Sequence, residues 1–187
     1  MLLIAGLPLL PDPFQSKHYY GRSISGKAPD FLLQDVKGQA VKLSDDRGNF
    51  VYLMFGYLGC KDVCHNQALT LLNLNQQVTS ERVQFLYVGM DPEHDTAEKI
   101  STYFDSRGGN FTGLMANDPH HAQQVAADYH AYFSYAPGHS EGQPRIDHPG
   151  YIYLIDPQGR LQLVYSGGFL SLERMLRDLN AIAIDVT

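Results

Sequence analysis

The chain has 187 residues, of which 14 are basic and 20 acidic, and it carries a net charge of -6. This length and the 44% content of hydrophobic residues are typical of one globular domain with a sizeable core. No run of basic residues is long enough to neutralise several phosphates in succession, which argues against nucleic acid as a partner.

The first 27 residues predict a leader followed by a linker. Residues 1–11 are apolar and uncharged, but they reach about half of the ~20 residues that a membrane span requires. A secretory signal opens with basic residues, whereas Lys17 is the first one here, so we interpret this stretch as the remnant of a signal or membrane anchor. An apolar arm packed on the domain is the alternative. Residues 12–27 contain Pro, Gly and Ser without periodicity, which indicates a linker before a domain at 28–187.

Strand signals open this domain. Short segments on either side of a turn at 36–38 predict an N-terminal β-hairpin. The apolar runs at 50–55 and 83–90 predict central strands, because a strand covered on both faces needs apolar side chains at successive positions. Two further strands are predicted at 151–155 and 161–165, around a tight turn.

Helix signals alternate with these strands. After the second of the two cysteines, apolar residues recur at helical spacing, namely Ala68, Leu71, Leu72 and Val78. Three more helices are predicted from capping patterns, at Asp95 with Glu98 (through 106), at Asp118 before Pro119 (through about 129) and at Ser171 (through 183). The alternation is a βαβ pattern and predicts an α/β fold with a central sheet flanked by helices.

Residues 134–149 predict a long loop, because three prolines and two glycines are too many for a regular element. Long loops inside compact domains usually carry function. His148 lies at the end of this loop, just before a predicted strand, and is a candidate site residue; a surface histidine is the alternative interpretation. His139 in the same loop is a weaker candidate for a transient outer ligand.

The two cysteines, Cys60 and Cys64, lie between a predicted buried strand and a predicted helix. Backbone N–H groups and the positive end of the helix dipole converge at such a turn, and Lys61 adds a cation beside Cys60. These features lower the pKa of a thiol and favour the thiolate. The pair is therefore a candidate for nucleophilic or redox chemistry and for binding a soft metal ion.

The spacing of the cysteines allows both kinds of chemistry. Residues i and i+4 in the first turns of a helix have Cβ atoms ~5 to 6 Å apart on one face, so they can form a disulfide after modest adjustment or share one ion. Two Cys and one His would make a three-coordinate site suited to Cu(I), whereas a closed zinc site needs a fourth ligand. A structural disulfide and two buried inert thiols are the alternatives.

Several motifs together resemble the Sco/SenC family over roughly residues 28–168. They are Ala28-Pro29-Asp30-Phe31, Phe55-Gly56-Tyr57 before the cysteine pair, the run Asp91-Pro92-Glu93-His94-Asp95-Thr96, and Asp147-His148 eight residues before Asp156. The combination is specific, while the cysteine spacing alone is weak. Proteins of this family help to assemble the copper centre of cytochrome c oxidase.

The resemblance implies a thioredoxin-like domain of the peroxiredoxin type that binds copper, mainly Cu(I) and also Cu(II), through Cys60, Cys64 and His148. It implies a metallochaperone whose partners are a cytochrome c oxidase subunit, or another copper-accepting protein, and a thiol-disulfide reductant. A periplasmic or other extracytoplasmic location is expected, with a membrane anchor in the full-length protein.

Three residues depart from the family pattern. Lys61 and His65 stand where proline usually follows each cysteine, and Pro149 stands where serine usually follows the Asp-His pair. All three ligands remain in place, but these changes could alter the redox potential or the metal affinity, and His65 becomes a competing candidate ligand.

Two other functions fit the same residues. In a thiol-disulfide oxidoreductase, Cys60 and Cys64 would be the redox pair, one thiolate attacking a partner's disulfide and the other resolving the mixed disulfide. A peroxidase related to peroxiredoxins is less favoured, because the sequence upstream of Cys60 lacks the Pro/Thr pattern of that family. Asp91 and Asp95 are interpreted as turn and capping residues, and His120 and His121 as solvated histidines at a helix start.

Overall fold

A computed structural model describes residues 18–60, 62–78, 82–104, 110–136 and 145–186. The strands are β1 (Arg22–Ser23), β2 (Leu32–Asp35), β3 (Ala40–Lys42), β4 (Phe50–Gly56), β5 (Val83–Gly89), β6 (Phe111–Met115), β7 (Ser134–Tyr135), β8 (Ile146–Asp147), β9 (Tyr151–Ile155) and β10 (Leu161–Ser166). The α-helices are α1 (Val63–Gln77), α2 (Ala97–Phe104), α3 (Pro119–Asp128) and α4 (Leu172–Val186).

Eight of these strands form one mixed sheet in the order β1-β10-β9-β4-β5-β6-β2-β3. The pairs β4–β5 and β5–β6 are parallel, and the other neighbours are antiparallel. The hairpin β2–β3 turns at the predicted position. The predicted α/β fold with a mixed central sheet, flanking helices and an N-terminal hairpin is therefore confirmed.

The central strand β4 is buried because its apolar side chains face two separate cores. Leu53 and Phe55 lie in the core that α3 covers, whereas Tyr52 and Met54 lie in the core that α1 and α4 cover. Each such side chain contributes about 1.5 to 3 kcal/mol through burial. This explains why the sequence shows a continuous apolar run rather than an alternating pattern at this strand.

The parallel pairing of β4 and β5 brings two loops to one edge of the sheet. Gly56 at the end of β4 is in register with Gly89 at the end of β5, and Met90 N–H donates to Gly56 O at 2.8 Å. The chain after β4 leads into the cysteine turn, and the chain after β5 leads into residues 91–96. Carboxyl ends of parallel strands are the usual place for functional loops in α/β sheets.

The predicted linker at 12–27 differs from the structure where the structure describes it, from residue 18 onward. Arg22–Ser23 forms the edge strand β1 against β10. The buried Asp178 carboxylate accepts hydrogen bonds from Tyr20 N–H at 3.0 Å and Gly21 N–H at 2.9 Å. Two residues are too few to produce a strand period in the sequence. The expected remnant of a signal or anchor at 1–11 lies outside the described residues.

Two other differences concern short strands. The strand β6 lacks a clear sequence signal, because it is short and its sequence FTGLM contains a central glycine. A Cβ at Gly113 would lie 2.2 Å from Ile100 Cγ2, so this glycine allows α2 to pack on the sheet. The ends of the predicted loop at 134–149 pair with each other as β7 and β8. Residues 137–144, including the candidate His139, lie outside the described residues.

None of the helices in the described ranges combines the length and the apolar character that crossing a membrane requires.

Candidate metal centre

The turn after β4 places Cys60 at the start of α1. Cys60 N–H donates to Tyr57 O at 3.1 Å, which closes the turn, and α1 then begins at Val63. The side chain of Asp62, the residue before the helix, makes no capping hydrogen bond. Instead, Cys64 N–H points at Cys60 Sγ at 3.4 Å. The sulfur therefore accepts a hydrogen bond from one of the backbone N–H groups that have no partner within the first turn of a helix.

His148 reaches this helix because the loop between β8 and β9 passes very close to it. A Cβ at Gly150 would lie 2.2 Å from Val63 Cγ2, so only glycine allows the approach. Gly167 N–H donates to Gly150 O at 3.3 Å, and Gln67 Nε2 donates to Gly167 O at 3.0 Å. These contacts hold the loop against the first turns of α1.

The His148 ring is oriented with Nε2 toward the sulfurs. Its Nδ1 lies 3.0 Å from Pro149 O, and a carbonyl oxygen can only accept, so Nδ1 carries the proton. The lone pair of Nε2 then faces Cys64 Sγ at 3.1 Å. The Tyr57 ring packs edge-on against the imidazole, with centroids 5.7 Å apart. A fixed tautomer with a free Nε2 is the form in which histidine binds metals.

The structure brings the three predicted site residues together. One ligand atom each from Cys60, Cys64 and His148 lies within 4.8 Å of the other two, and no other group of this kind occurs in the described ranges. Cys64 is buried, while Cys60 and His148 are partly exposed. Two sulfurs and one imidazole form a soft donor set, which suits ions such as Cu(I).

The two thiols have opposite pKa shifts. A hydrogen bond from the Cys64 side chain lowers the pKa of Cys60 to about 3, with further help from backbone N–H groups and against the effect of burial. The same hydrogen bond, together with burial, raises the pKa of Cys64. At neutral pH Cys60 is therefore a thiolate and Cys64 a thiol that donates to it. A thiolate is both a nucleophile and a soft-metal ligand.

Asp95 has a different role from the predicted helix cap. Thr96 caps α2 instead, because its Oγ1 accepts from Lys99 N–H at 3.3 Å. The Asp95 carboxylate is 1% exposed and accepts from Leu58 N–H at 2.9 Å, two residues before Cys60. Burial raises the pKa of Asp95 to about 6. No local sequence pattern predicts this contact, because it requires the register of β4 and β5.

The competing candidate His65 and two further histidines, His94 and His120, lie outside the cluster. His65 Nδ1 lies 3.2 Å from the Tyr103 hydroxyl, and His65 does not belong to the group of converging ligand atoms. His120 Nε2 contacts Gln124 at 3.0 Å on the exposed start of α3. His94 Nδ1 lies 2.9 Å from the buried Asp91 carboxylate. Lys61, whose charge was expected to act on Cys60, lies outside the described residues.

Comparison with known proteins agrees with this arrangement. The family model described as SCO1/SenC matches residues 22–183. The mitochondrial SCO2 homologue of Bos taurus is 32% identical over 141 residues, which cover 73% of this chain and 53% of that protein. The chain therefore spans about half the length of this curated relative.

Two solved structures are similar along nearly their whole length. Apo Sco1 from Thermus thermophilus is 29% identical with a TM-score of 0.77, covering 88% of this chain and 97% of that one. Bradyrhizobium japonicum ScoI with copper bound is 26% identical with a TM-score of 0.72, covering 83% of this chain and 99% of that one. The predicted thioredoxin-like fold is thus confirmed.

Proposed function

The chain belongs to the SCO1/SenC family, and from this membership and its cluster of two cysteines and one histidine we propose that it is a copper metallochaperone. It binds copper through Cys60, Cys64 and His148 and delivers the ion to the copper centre of cytochrome c oxidase. The observation that carries the proposal is that these three ligand atoms lie within 4.8 Å of one another. A similar protein, ScoI of Bradyrhizobium japonicum, has a structure with copper bound.

The protonation states of the site suit the capture of Cu(I). Cys60 is already a thiolate at neutral pH, and His148 offers a free Nε2. Cys64 must lose its proton when the metal binds, so binding releases about one proton at neutral pH. Three ligands hold the ion but leave one side open, through which a ligand of an acceptor protein can attack and take it over.

Cu(I) titration under anaerobic conditions tests the proposal. The reduced protein should bind one equivalent in competition with a chromophoric chelator, and His148→Ala should weaken binding by roughly 100-fold or more, because changes in residues that merely support metal ligands already cost roughly 10- to 100-fold. His120→Ala, which removes an exposed histidine outside the cluster, is the matched control and should bind as the parent does. Equal Cu(I) affinity in the His148→Ala and His120→Ala variants would show that His148 is not a copper ligand.

A second candidate function is thiol-disulfide oxidoreductase activity, which the opposite pKa shifts of the two thiols favour. The Cys60 thiolate would attack a partner's disulfide, form a mixed disulfide and release one partner thiolate. Cys64, after losing its proton, would attack Cys60 Sγ and release the second partner thiol. The partner gains two electrons, and Cys60 and Cys64 become a disulfide. Reduction of a disulfide substrate by the metal-free protein, abolished in Cys60→Ser, is the distinguishing result.

The partners follow from the proposed delivery. We propose an oxidase subunit or another copper-accepting protein as the recipient, and a thiol-disulfide reductant that returns Cys60 and Cys64 to the reduced state. The proposed location is the periplasm or an equivalent extracytoplasmic space, with a membrane anchor in the full-length protein. Fractionation of cells that express the full-length tagged protein, followed by carbonate extraction of membranes, tests both points; recovery in the cytoplasmic fraction would contradict them.

A further inference from the structure

A small cavity lies beside the two sulfurs. Its volume is about 20 Å³, and the residues around it include Cys60, Cys64, Ala68, Tyr87 and Tyr103. A polar cavity above roughly 10 to 15 Å³ can hold one water molecule. The space is therefore of the right size for one water that contacts the sulfur pair.

The Tyr87 hydroxyl is the unusual group in this region. Tyr87 lies on β5, is 2% exposed and packs against Phe104 at a centroid distance of 4.8 Å. Its hydroxyl has no hydrogen-bond partner among the described residues. Buried polar groups in native proteins are nearly always paired, and an exception calls for an explanation such as a bound water or a functional role.

The geometry around Gly56 shows how close the Tyr87 ring comes to the sulfur. A Cβ at Gly56 would lie 3.0 Å from Tyr87 Cε2 and 3.3 Å from Cys64 Sγ. The missing side chain thus leaves room for both groups, and Cε2 is the ring carbon next to the one that bears the hydroxyl. A tyrosine hydroxyl carries its proton at neutral pH, so this group is available as a hydrogen-bond donor.

We propose that the cavity is a water site in which the Tyr87 hydroxyl donates to one water molecule, and this water donates to a sulfur of the Cys60–Cys64 pair. Tyr87 is then a residue that tunes the thiolates without touching the metal. A hydrogen bond to a thiolate lowers the energy of its lone pairs, which stabilises the reduced pair and weakens electron donation to a bound ion. The part of the inference that concerns copper rests on the proposed function.

The redox equilibrium of the metal-free protein tests the inference without copper. In a glutathione buffer, two glutathione thiols reduce the Cys60–Cys64 disulfide with two electrons and become glutathione disulfide. Of their two protons, one stays on Cys64 and the other goes to solvent, because Cys60 is released as a thiolate. Tyr87→Phe keeps the ring and removes the hydroxyl. We expect reduction to become less favourable by roughly tenfold, which corresponds to about 30 mV.

Tyr103→Phe is the matched control. Tyr103 borders the same cavity, but its hydroxyl contacts His65 Nδ1 at 3.2 Å, so removing it should leave the equilibrium unchanged. Ala68→Val provides a second, independent variant, because the added methyl groups fill the cavity and expel the water. Ala68→Val should shift the redox equilibrium with glutathione as Tyr87→Phe does. If Tyr87→Phe does not fold, Ala68→Val alone tests the inference.

The Cu(II)-loaded protein gives a spectroscopic test. Removing a hydrogen bond from a thiolate raises its lone-pair energy, so the sulfur-to-copper charge-transfer band of Tyr87→Phe should move to longer wavelength, while Tyr103→Phe keeps the parent band. A higher thermal midpoint of Tyr87→Phe with unchanged equilibrium and unchanged band would overturn the inference, since the hydroxyl would then be an unpaired group and nothing more. If the parent binds no copper, the proposed function fails, whereas the glutathione equilibrium still decides the role of Tyr87.

Discussion

His148 Nε2 lies 3.1 Å from Cys64 Sγ, although 84 positions separate the two residues in the sequence. The contact depends on how closely the loop before β9 passes the first turn of α1. A Cβ at Gly150 would lie 2.2 Å from Val63 Cγ2, far inside van der Waals contact. Any larger residue at position 150 must therefore displace Val63 or the loop that carries His148, and because the side chain of Val63 is branched at Cβ we expect the loop to move.

Gly150→Ala should weaken copper binding although all three ligands remain. Moving the loop increases the distance between His148 and the sulfurs, and we expect a loss of roughly 10- to 100-fold in Cu(I) affinity, as for other changes in the support of metal ligands. Competition titration with a chromophoric chelator measures the effect. Gly168→Ala is the matched control, because the closest atom to its new Cβ is 3.9 Å away. Parent-like affinity in Gly150→Ala would show that the loop can shift without loss of the site.

Cys60 and Cys64 should differ strongly in their reaction with iodoacetamide. Because the pKa of Cys60 is lowered to about 3, this residue is a thiolate from pH 5 to 8, and its alkylation rate should be flat over that range. An ordinary thiol with a pKa near 8.5 would react about tenfold faster per pH unit. Cys64, with its raised pKa, should react slowly throughout. Mass spectrometry of quenched peptides follows the two residues separately.

The Cys64→Ala variant provides the control for this reactivity. It removes the hydrogen bond that contributes most to the low pKa of Cys60. The alkylation rate of Cys60 should then increase with pH between 5 and 8. A rate that already increases tenfold per pH unit in the parent would contradict the proposed asymmetry of the pair.

The strands and the cysteine turn could be predicted from the sequence because their causes are local. The run at 50–55 is apolar at successive positions, and a strand buried on both faces requires this pattern. Cys60 and Cys64 follow it directly and precede a helix with apolar spacing. The hydrogen bond that His121 N–H donates to the Asp118 carboxylate at 2.8 Å likewise confirms a helix cap that a four-residue sequence pattern predicts.

Contacts between distant segments had no local signal. The loop position makes His148 only a candidate, and the family resemblance is what assigns it as a ligand, because no periodicity in the sequence indicates that a loop returns to a helix 84 positions earlier. The sequence pattern at Asp95 and Glu98 predicts a helix cap, but an aspartate that anchors a loop would produce the same pattern. The parallel register of β4 and β5 decides between them, and it is a property of the folded sheet.

The N-terminal segment should detach when Asp178 is removed. The Asp178 carboxylate accepts from Tyr20 N–H and Gly21 N–H, and its side chain is 5% exposed. Asp178→Ala leaves both amides without their partner, which costs about 1 to 3 kcal/mol. Urea unfolding should show this loss, and hydrogen exchange should show faster exchange at residues 20–23. Glu173→Ala, a change at a carboxylate of the same helix that is 83% exposed and pairs with Arg177 one turn away, should leave this exchange unchanged and cost no more than about 0.5 kcal/mol. Slow exchange retained in Asp178→Ala would contradict the anchoring role.

The turn before Cys60 should depend on an acceptor at position 95. Asp95→Ala leaves the Leu58 N–H without its partner and should destabilise the protein by about 1 to 3 kcal/mol and weaken Cu(I) binding. Asp95→Asn keeps a carbonyl oxygen at the same place, so it should retain most of the copper affinity. Equal losses in the two variants would show that the charge of Asp95, rather than its hydrogen bond, matters to the site.

The same two proteins, parent and Asp95→Asn, should differ in how stability depends on pH. Burial raises the pKa of Asp95 from 3.8 to about 6, so the folded protein holds this proton more tightly than the unfolded chain. The resulting stabilisation is complete below pH 3.8 and is lost as the pH rises through about 6. From pH 4 to 7 the parent should therefore lose on the order of 1 to 3 kcal/mol relative to Asp95→Asn, which has no proton to release. Urea unfolding of the reduced, metal-free proteins at each pH measures this difference, and parallel stability curves would show that Asp95 is ionised at no cost in the folded state.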